Sequence, residues 1–194
     1  INRNGITIEA NVFLQGPYNT TAGTMNDTLR AASIIPLQDP YINTVTTTAP
    51  VLQVTGNNAI VDWVKLELRD KNSPTTVLRT TAGLVQRDGD IVGPDGVSPI
   101  FITNLNQDNY YLAIGHRNHL GVMTSASITF GESPTTYNFP SQSTYGSNGQ
   151  INIGGQFCMW AGDVNGDKKI RYLSGGFPVV PSDASAILFL GLSN

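Results

Sequence analysis

Apolar and polar residues alternate with a period of two over residues 6–14. Ile6, Ile8, Ala10, Val12 and Leu14 share one side, and Thr7, Glu9, Asn11 and Phe13 the other, the pattern of a half-buried strand. Residues 60–70, IVDWVKLELRD, carry the strongest strand signal. Val64, Leu66 and Leu68 point inward there, and Lys65, Glu67 and Arg69 outward. Asp62 shares parity with the inward set, which predicts a bulge near it and places Trp63 at an edge of the core. Residues 77–87 form the partner strand, with Leu78, Ala82 and Leu84 on its apolar side. Further short strands are predicted at 51–54, 99–103, 110–117, 122–130 and 135–139, separated by turn-rich stretches. One or two helical turns fit 24–32, with Asn26 as cap, and a short helix fits 182–190 behind Ser182. Residues 34–40, IIPLQDP, are broken by proline and read as loop or edge.

Short strands at this spacing predict a mainly β protein: an antiparallel β-sandwich of Ig-like or Greek-key type, with at most short helices. Closing it brings the 6–14 strand beside a late strand. After Phe139 the composition shifts. The expected organisation is a sandwich domain over 1–140, a Ser/Gly-rich linker or loop over 141–155, and a small calcium-loop segment over 156–194, packed on or swapped between sandwiches.

Composition narrows the function classes. Charged residues are 13% of 194, the net charge is −3, and the 11 Lys and Arg form no cluster, which argues against a nucleic-acid surface. The apolar run 186–192, AILFLGL, is far shorter than a membrane span, so no membrane insertion is expected. Ile1 fits the start of a processed chain. A single cysteine, Cys158, excludes an internal disulfide, and a metal can act as the staple instead.

That metal has a candidate site in GDVNGDKKIRY, residues 162–172. Asp163, Asn165 and Asp167 alternate, and a tight loop turns three such oxygens toward one point, as positions 1, 3 and 5 of a Ca²⁺ loop do. The carbonyl of Lys169 is then the position-7 ligand, and Ile170 ties the loop to the core. The run resembles the first half of a dockerin or EF-hand loop. It departs from that pattern at Lys168, where glycine usually turns the chain, and at Ser174, where a carboxylate usually closes the shell. Asp183, brought back after an insertion, is the expected replacement. The competing reading is an Asx-rich turn without metal.

Several runs together resemble one family: VFLQGPYN (12–19), GTMNDTLR (23–30), VTGNNAIVDWVKLELRD (54–70), LVQRDGDIV (84–92), NYYLAIGHRNHLGVMT (109–124) and the calcium-loop stretch. They resemble a domain of large secreted surface proteins of gliding and polymer-degrading bacteria, often labelled haemagglutinin-like. The resemblance implies export, a surface location and a β-sandwich. It implies no chemistry, and the label does not establish lectin activity. From the resemblance alone, Asp27-Thr28-Leu29 matches an O-glycosylation pattern of such proteins.

Other candidates carry weaker signals. His116 and His119 form H-x-x-H without a third ligand nearby, and shaping a strand–turn–strand corner explains them better than a metal does. Asp88, Asp90 and Asp95 lie in a Gly/Pro-rich turn, which reads as turn chemistry before a second cation site. Cys158 lacks an evident catalytic partner and reads as a buried, inert thiol. Tyr18, Tyr41, Tyr110, Tyr111, Trp63 and Trp160 either stack sugars or pack the core and its edges. No nucleophile–base–acid set can be nominated. The leading expectation is a non-catalytic, secreted structural or adhesive protein, stabilised by Ca²⁺. It self-associates through a terminal strand into a cell-surface filament. The alternative is a lectin-like carbohydrate-binding module, with glycans as partners.

Overall fold

The structure, a computed structural model, describes residues 5–163, 169–171 and 182–183. The chain is mainly β with one four-residue α-helix among the described residues. The first strands are β1 (Gly5–Asn11), β2 (Phe13–Leu14), β3 (Tyr18–Asn19) and β4 (Thr24–Met25). Helix α1 (Thr28–Ala31) follows. Then come β5 (Ile60–Asp70), β6 (Val77–Gln86), β7 (Asp90–Val92), β8 (Ile100–Thr103), β9 (Asp108–His116) and β10 (His119–Met123). The last are β11 (Ile128–Phe130), β12 (Thr135–Asn138), β13 (Gln150–Ile153) and β14 (Gln156–Met159).

The main sheet has nine strands in the order β10-β9-β5-β6-β7-β1-β12, with β11 also on β9 and β8 also on β1. Its two halves fold onto each other. Val64, Leu66 and Leu68 of β5 and Leu112 and Ile114 of β9 join one buried cluster with Ile6 and Ile8 of β1 and Ile100 and Ile102 of β8. That is the sandwich core, and strand alternation builds it. Leu66 lies opposite Ile114 and Thr81, with no exposed surface. The bulge expected near Asp62 is present, since the β5–β6 register shifts between Ile60 and Asp62.

β1 pairs with β7 and β8 along one edge and with the late strand β12 along the other. The N-terminal strand therefore takes both neighbours from its own chain. Its pairing with β12 is parallel, as is that of β14 with β2, while every other strand pairing is antiparallel among the described residues.

Several local expectations differ. Phe13, placed by alternation on the polar side, is buried in the main core, because β1 ends at Asn11 and β2 pairs with β14 in another sheet. The strand expected over 122–130 is split between β10 and β11. Trp63 does not sit at an edge of the main core. It is fully buried on the opposite sheet face, in a second cluster with Ile35, Ile60, Ala82, Leu84 and Val92. The loop between α1 and β5 covers that face, and Tyr41, Val45, Val51 and Leu52 pack against it. Within this loop, residues 51–54 form a 3-10 turn over Val51–Gln53 rather than a strand. The cap of α1 is Asp27 rather than Asn26, and its carboxylate binds Arg30 at 2.6 Å instead of the helix amides. The stretch 141–155, which reads as a linker or loop, contains β13, which forms a hairpin with β14 and docks through it on β2. The short helix expected at 182–190 falls largely outside the described residues.

Candidate functional site

The polar heart of the molecule is the corner between β9 and β10. The bulge on β5 turns Asp62 inward until 1% of it is exposed. Arg117, in the turn, places Nη2 at 2.8 and 2.7 Å from its two oxygens. His116 Nε2 lies 3.2 Å from Asp62 Oδ2, and the N–H of Trp63 donates to Oδ1 at 2.8 Å. Burial alone would raise the Asp62 carboxyl, but His116, Arg117 and that N–H outweigh it and hold it below the usual range.

Hydrogen bonding assigns the histidine tautomers. His119 Nε2 accepts from the N–H of Gly16 at 3.3 Å, so its proton sits on Nδ1 and points at His116 Nδ1, 2.9 Å away. His116 Nδ1 also accepts from the N–H of Asn118 at 3.1 Å, which leaves Nε2–H to donate to Asp62. Burial, with His116 adding to it, pushes His119 down to about 3. The order Asp62, His116, His119, Gly16 is thus one directed chain. Tyr41 ties the loop over the second face to it, donating to the carbonyl of Trp63 at 3.0 Å and accepting from the N–H of Arg117 at 3.3 Å. Burial, reinforced by Asp62, raises the Tyr41 phenol.

The chain entering the expected calcium loop is fastened to this corner. Leu120 N–H donates to the carbonyl of Trp160 at 2.8 Å, Gly162 N–H to that of Asn118 at 3.0 Å, and Ala161 N–H to Gln15 Oε1 at 2.8 Å. Of the five expected ligands, Asp163, Lys169 and Asp183 are described, whereas Asn165 and Asp167 lie outside the described residues. Asp163 and Asp183 are buried and Lys169 is exposed. Asp183 returns to the far end of the loop, where it exchanges two hydrogen bonds with Arg171 at 3.1 and 2.7 Å. Among the described residues, no three His, Cys, Asp or Glu side chains form a metal-holding group.

The remaining candidates resolve individually. Asp95 accepts from the N–H groups of Val97 and Ser98 and caps its own turn. Asp88 and Asp90 are held together by Asn11, whose amide donates to the Asp88 carbonyl and the Asp90 carboxylate. Burial raises the Asp88 carboxyl, although the N–H of Asp90 donates to it. The Cys158 thiol is buried and pushed up to about 11, so it stays protonated. Trp63 and Tyr110 are buried, Tyr18 packs on Phe13 with centroids 4.7 Å apart, and Tyr111 meets Tyr145 edge-on. These aromatics therefore form no shared stacking face.

Sequence reasoning missed two features. Asp39, in the proline-broken loop, is fully buried, and its carboxylate accepts the N–H groups of Tyr41, Ile42, Asn43, Thr44 and Val45 at 2.8–3.2 Å. Burial alone would raise it, but those donors hold it below the usual carboxylate range. The signal available was the Asp-Pro pair followed by polar turn residues. The second feature is an uncharged hollow of about 300 Å³ between the 141–150 loop and Phe157. Comparison with known proteins finds no matching family model and no significant match to a curated protein or a solved structure.

Proposed function

We propose that the chain is a non-catalytic structural or adhesive β-sandwich module of a secreted, cell-surface assembly. One observation carries this reading. The constellation closest to catalytic machinery, Asp62–His116–His119 with Arg117, points each of its ring nitrogens and carboxylate oxygens at a partner within the protein. A general base needs a nitrogen aimed at substrate; here the terminal nitrogen is aimed at a backbone amide. The cluster therefore holds a corner. Low charge, the lone buried thiol and the resemblance to bacterial surface domains support the extracellular setting.

The spacing of Asp163, Asn165 and Asp167, that of positions 1, 3 and 5 of a Ca²⁺ loop, supports a Ca²⁺ staple. When bound, the ion would be held by Asp163, Asn165, Asp167, the Lys169 carbonyl and Asp183, and would supply folding energy to the C-terminal segment. Self-association fits the C-terminal apolar run 186–192, because β1 already has neighbours on both edges. Sedimentation and electron microscopy of concentrated protein with Ca²⁺ test the assembly. Fibres or oligomers lost on truncation after residue 185 are expected; a strictly monomeric protein under these conditions overturns it.

A second reading, carbohydrate binding, is favoured by the hollow beside Phe157.

A further inference from the structure

The walls of that hollow are fixed by contacts made in folding. Tyr145 N–H donates to the carbonyl of Met123 at 2.8 Å. The Tyr137 hydroxyl donates to the Ser143 carbonyl at 2.6 Å, and Trp160 Nε1–H to that of Asn148 at 3.0 Å. Gln142 Oε1 accepts the N–H of Asn138 at 2.7 Å, which orients its amide. Glycine at 149 lets the loop close without displacing the Thr144 hydroxyl, since a Cβ there would lie 2.7 Å from Thr144 Oγ1. A wall built before the ligand arrives spares the ligand the cost of ordering it.

The wall chemistry selects the ligand. The lining side chains are hydroxyls, amides and one phenyl ring, with no Asp, Glu, Lys or Arg among them. A hard cation favours carboxylates, and an anion favours guanidinium or ammonium groups. A neutral polyhydroxyl compound needs neither. Amides offer it both donors and acceptors, and the apolar face of a sugar ring can lie on an aromatic ring. Phe157 presents such a ring, 41% exposed on strand β14.

A further observation points to a missing partner. Gln150 lines the hollow, and its Nε2 is buried without a hydrogen-bond acceptor. A buried amide donor left unpaired is costly and rare, so a side-chain rotation that turns it into the hollow to meet a ligand oxygen is favoured. We infer that this hollow binds a neutral saccharide, with Phe157 as the stacking face and Gln142, Asn148 and Gln150 as the hydrogen-bonding groups. A volume of about 300 Å³ lies at the small end of ligand sites and suits a short stretch of glycan rather than a globular partner. The inference rests on the carbohydrate-binding reading and names its site.

The test uses the intact protein. Immobilised neutral glycans are screened with heparin as an acidic comparator, and the best soluble neutral oligosaccharide is then titrated calorimetrically. Binding to neutral glycans and not to heparin is expected. Phe157→Ala should weaken binding about tenfold or more, as loss of an aromatic anchor does. Gln150→Met should weaken it comparably while leaving the unfolding midpoint unchanged or higher, because it removes an unsatisfied donor. That variant also decides the question if Phe157→Ala fails to fold. Neutral-glycan binding that both variants leave intact would refute this site yet spare the carbohydrate reading. Absence of binding to any neutral glycan, or a preference for heparin, overturns both.

Discussion

The Nδ1 atoms of His116 and His119 lie 2.9 Å apart, so one ring must carry a hydrogen there and the other must not. The N–H of Gly16 settles which, because it occupies the Nε2 lone pair of His119. Protonating His119 inserts a second hydrogen into a ring environment already committed to accepting one.

A pH dependence follows with a definite sign. Folding depresses His119 from 6.5 to about 3, and Asp62, His116 and Arg117 are the ionisable groups wired into its network. The unfolded chain binds a proton that the folded one refuses, so the stability is whole above pH 6.5 and is lost as pH falls toward 3. The slope approaches about 1.4 kcal/mol per pH unit. Carboxylates held low, such as Asp39, Asp62 and Glu67, add their own loss only below about pH 4. Denaturant midpoints between pH 6.5 and 4.5 should therefore decline in the wild type and flatten in His119→Gln. An equal slope in both proteins would show that His119 is not responsible.

The main core makes a simpler prediction. Leu66 is fully buried between β6 and β9, and Leu66→Ala should cost about 2–5 kcal/mol. Leu37, 45% exposed, should change little on the same substitution. Chemical denaturation of the two variants side by side checks this; near-equal losses would mean that burial does not separate them.

Asp39 should matter as much as a core residue. Asp39→Ala leaves five backbone N–H groups without their acceptor and should destabilise by at least about 2 kcal/mol. The loss should begin locally. Amide exchange at Ile42–Val45 should accelerate before exchange in β5 does, and uniform acceleration across the sheet would contradict a local clasp.

These cases show what the sequence carried and what it did not. Alternation placed β5 and residues 6–11 of β1 correctly, because a period of two leaves a readable trace wherever one face is buried, but it failed at Phe13, where the strand breaks and β2 joins another sheet. The Asp62 bulge was legible for the same reason, as a break in that parity. Trp63 is not the edge residue that parity predicts, because the loop covering it packs Ile35, Tyr41 and Val51 at irregular spacing, which has no period to detect. Strand β13 lies hidden in a stretch that reads as linker or loop because Ser, Gly and Asn dominate it, although Gly154 and Gly155 at the hairpin tip, both with positive φ, are ordinary hairpin chemistry. The histidine corner was anticipated as hydrogen bonding, but its partners Asp62 and Gly16 are far away in sequence and only the fold unites them. Phe157 and Gln150 carry no motif at all; their significance comes from a concavity.

The last prediction concerns the metal. Its proposed ligands begin at Asp163, immediately after the residues that hydrogen-bond to Asn118 and Leu120. Binding energy and local folding energy are one quantity in such a loop, and saturation at a hundredfold excess over Kd is worth about 2.7 kcal/mol. Chelation should therefore release the C-terminal segment first and the histidine corner next, with the sandwich last. Hydrogen exchange in EGTA should rise at Gly162 and Leu120 while Leu66 and Leu112 stay protected, and added Ca²⁺ should restore it. Asp163→Ala should mimic chelation and make the protein indifferent to EGTA. Thermal stability and exchange that do not change in excess chelator would remove Ca²⁺ from the account and leave residues 162–172 as an Asx-rich turn.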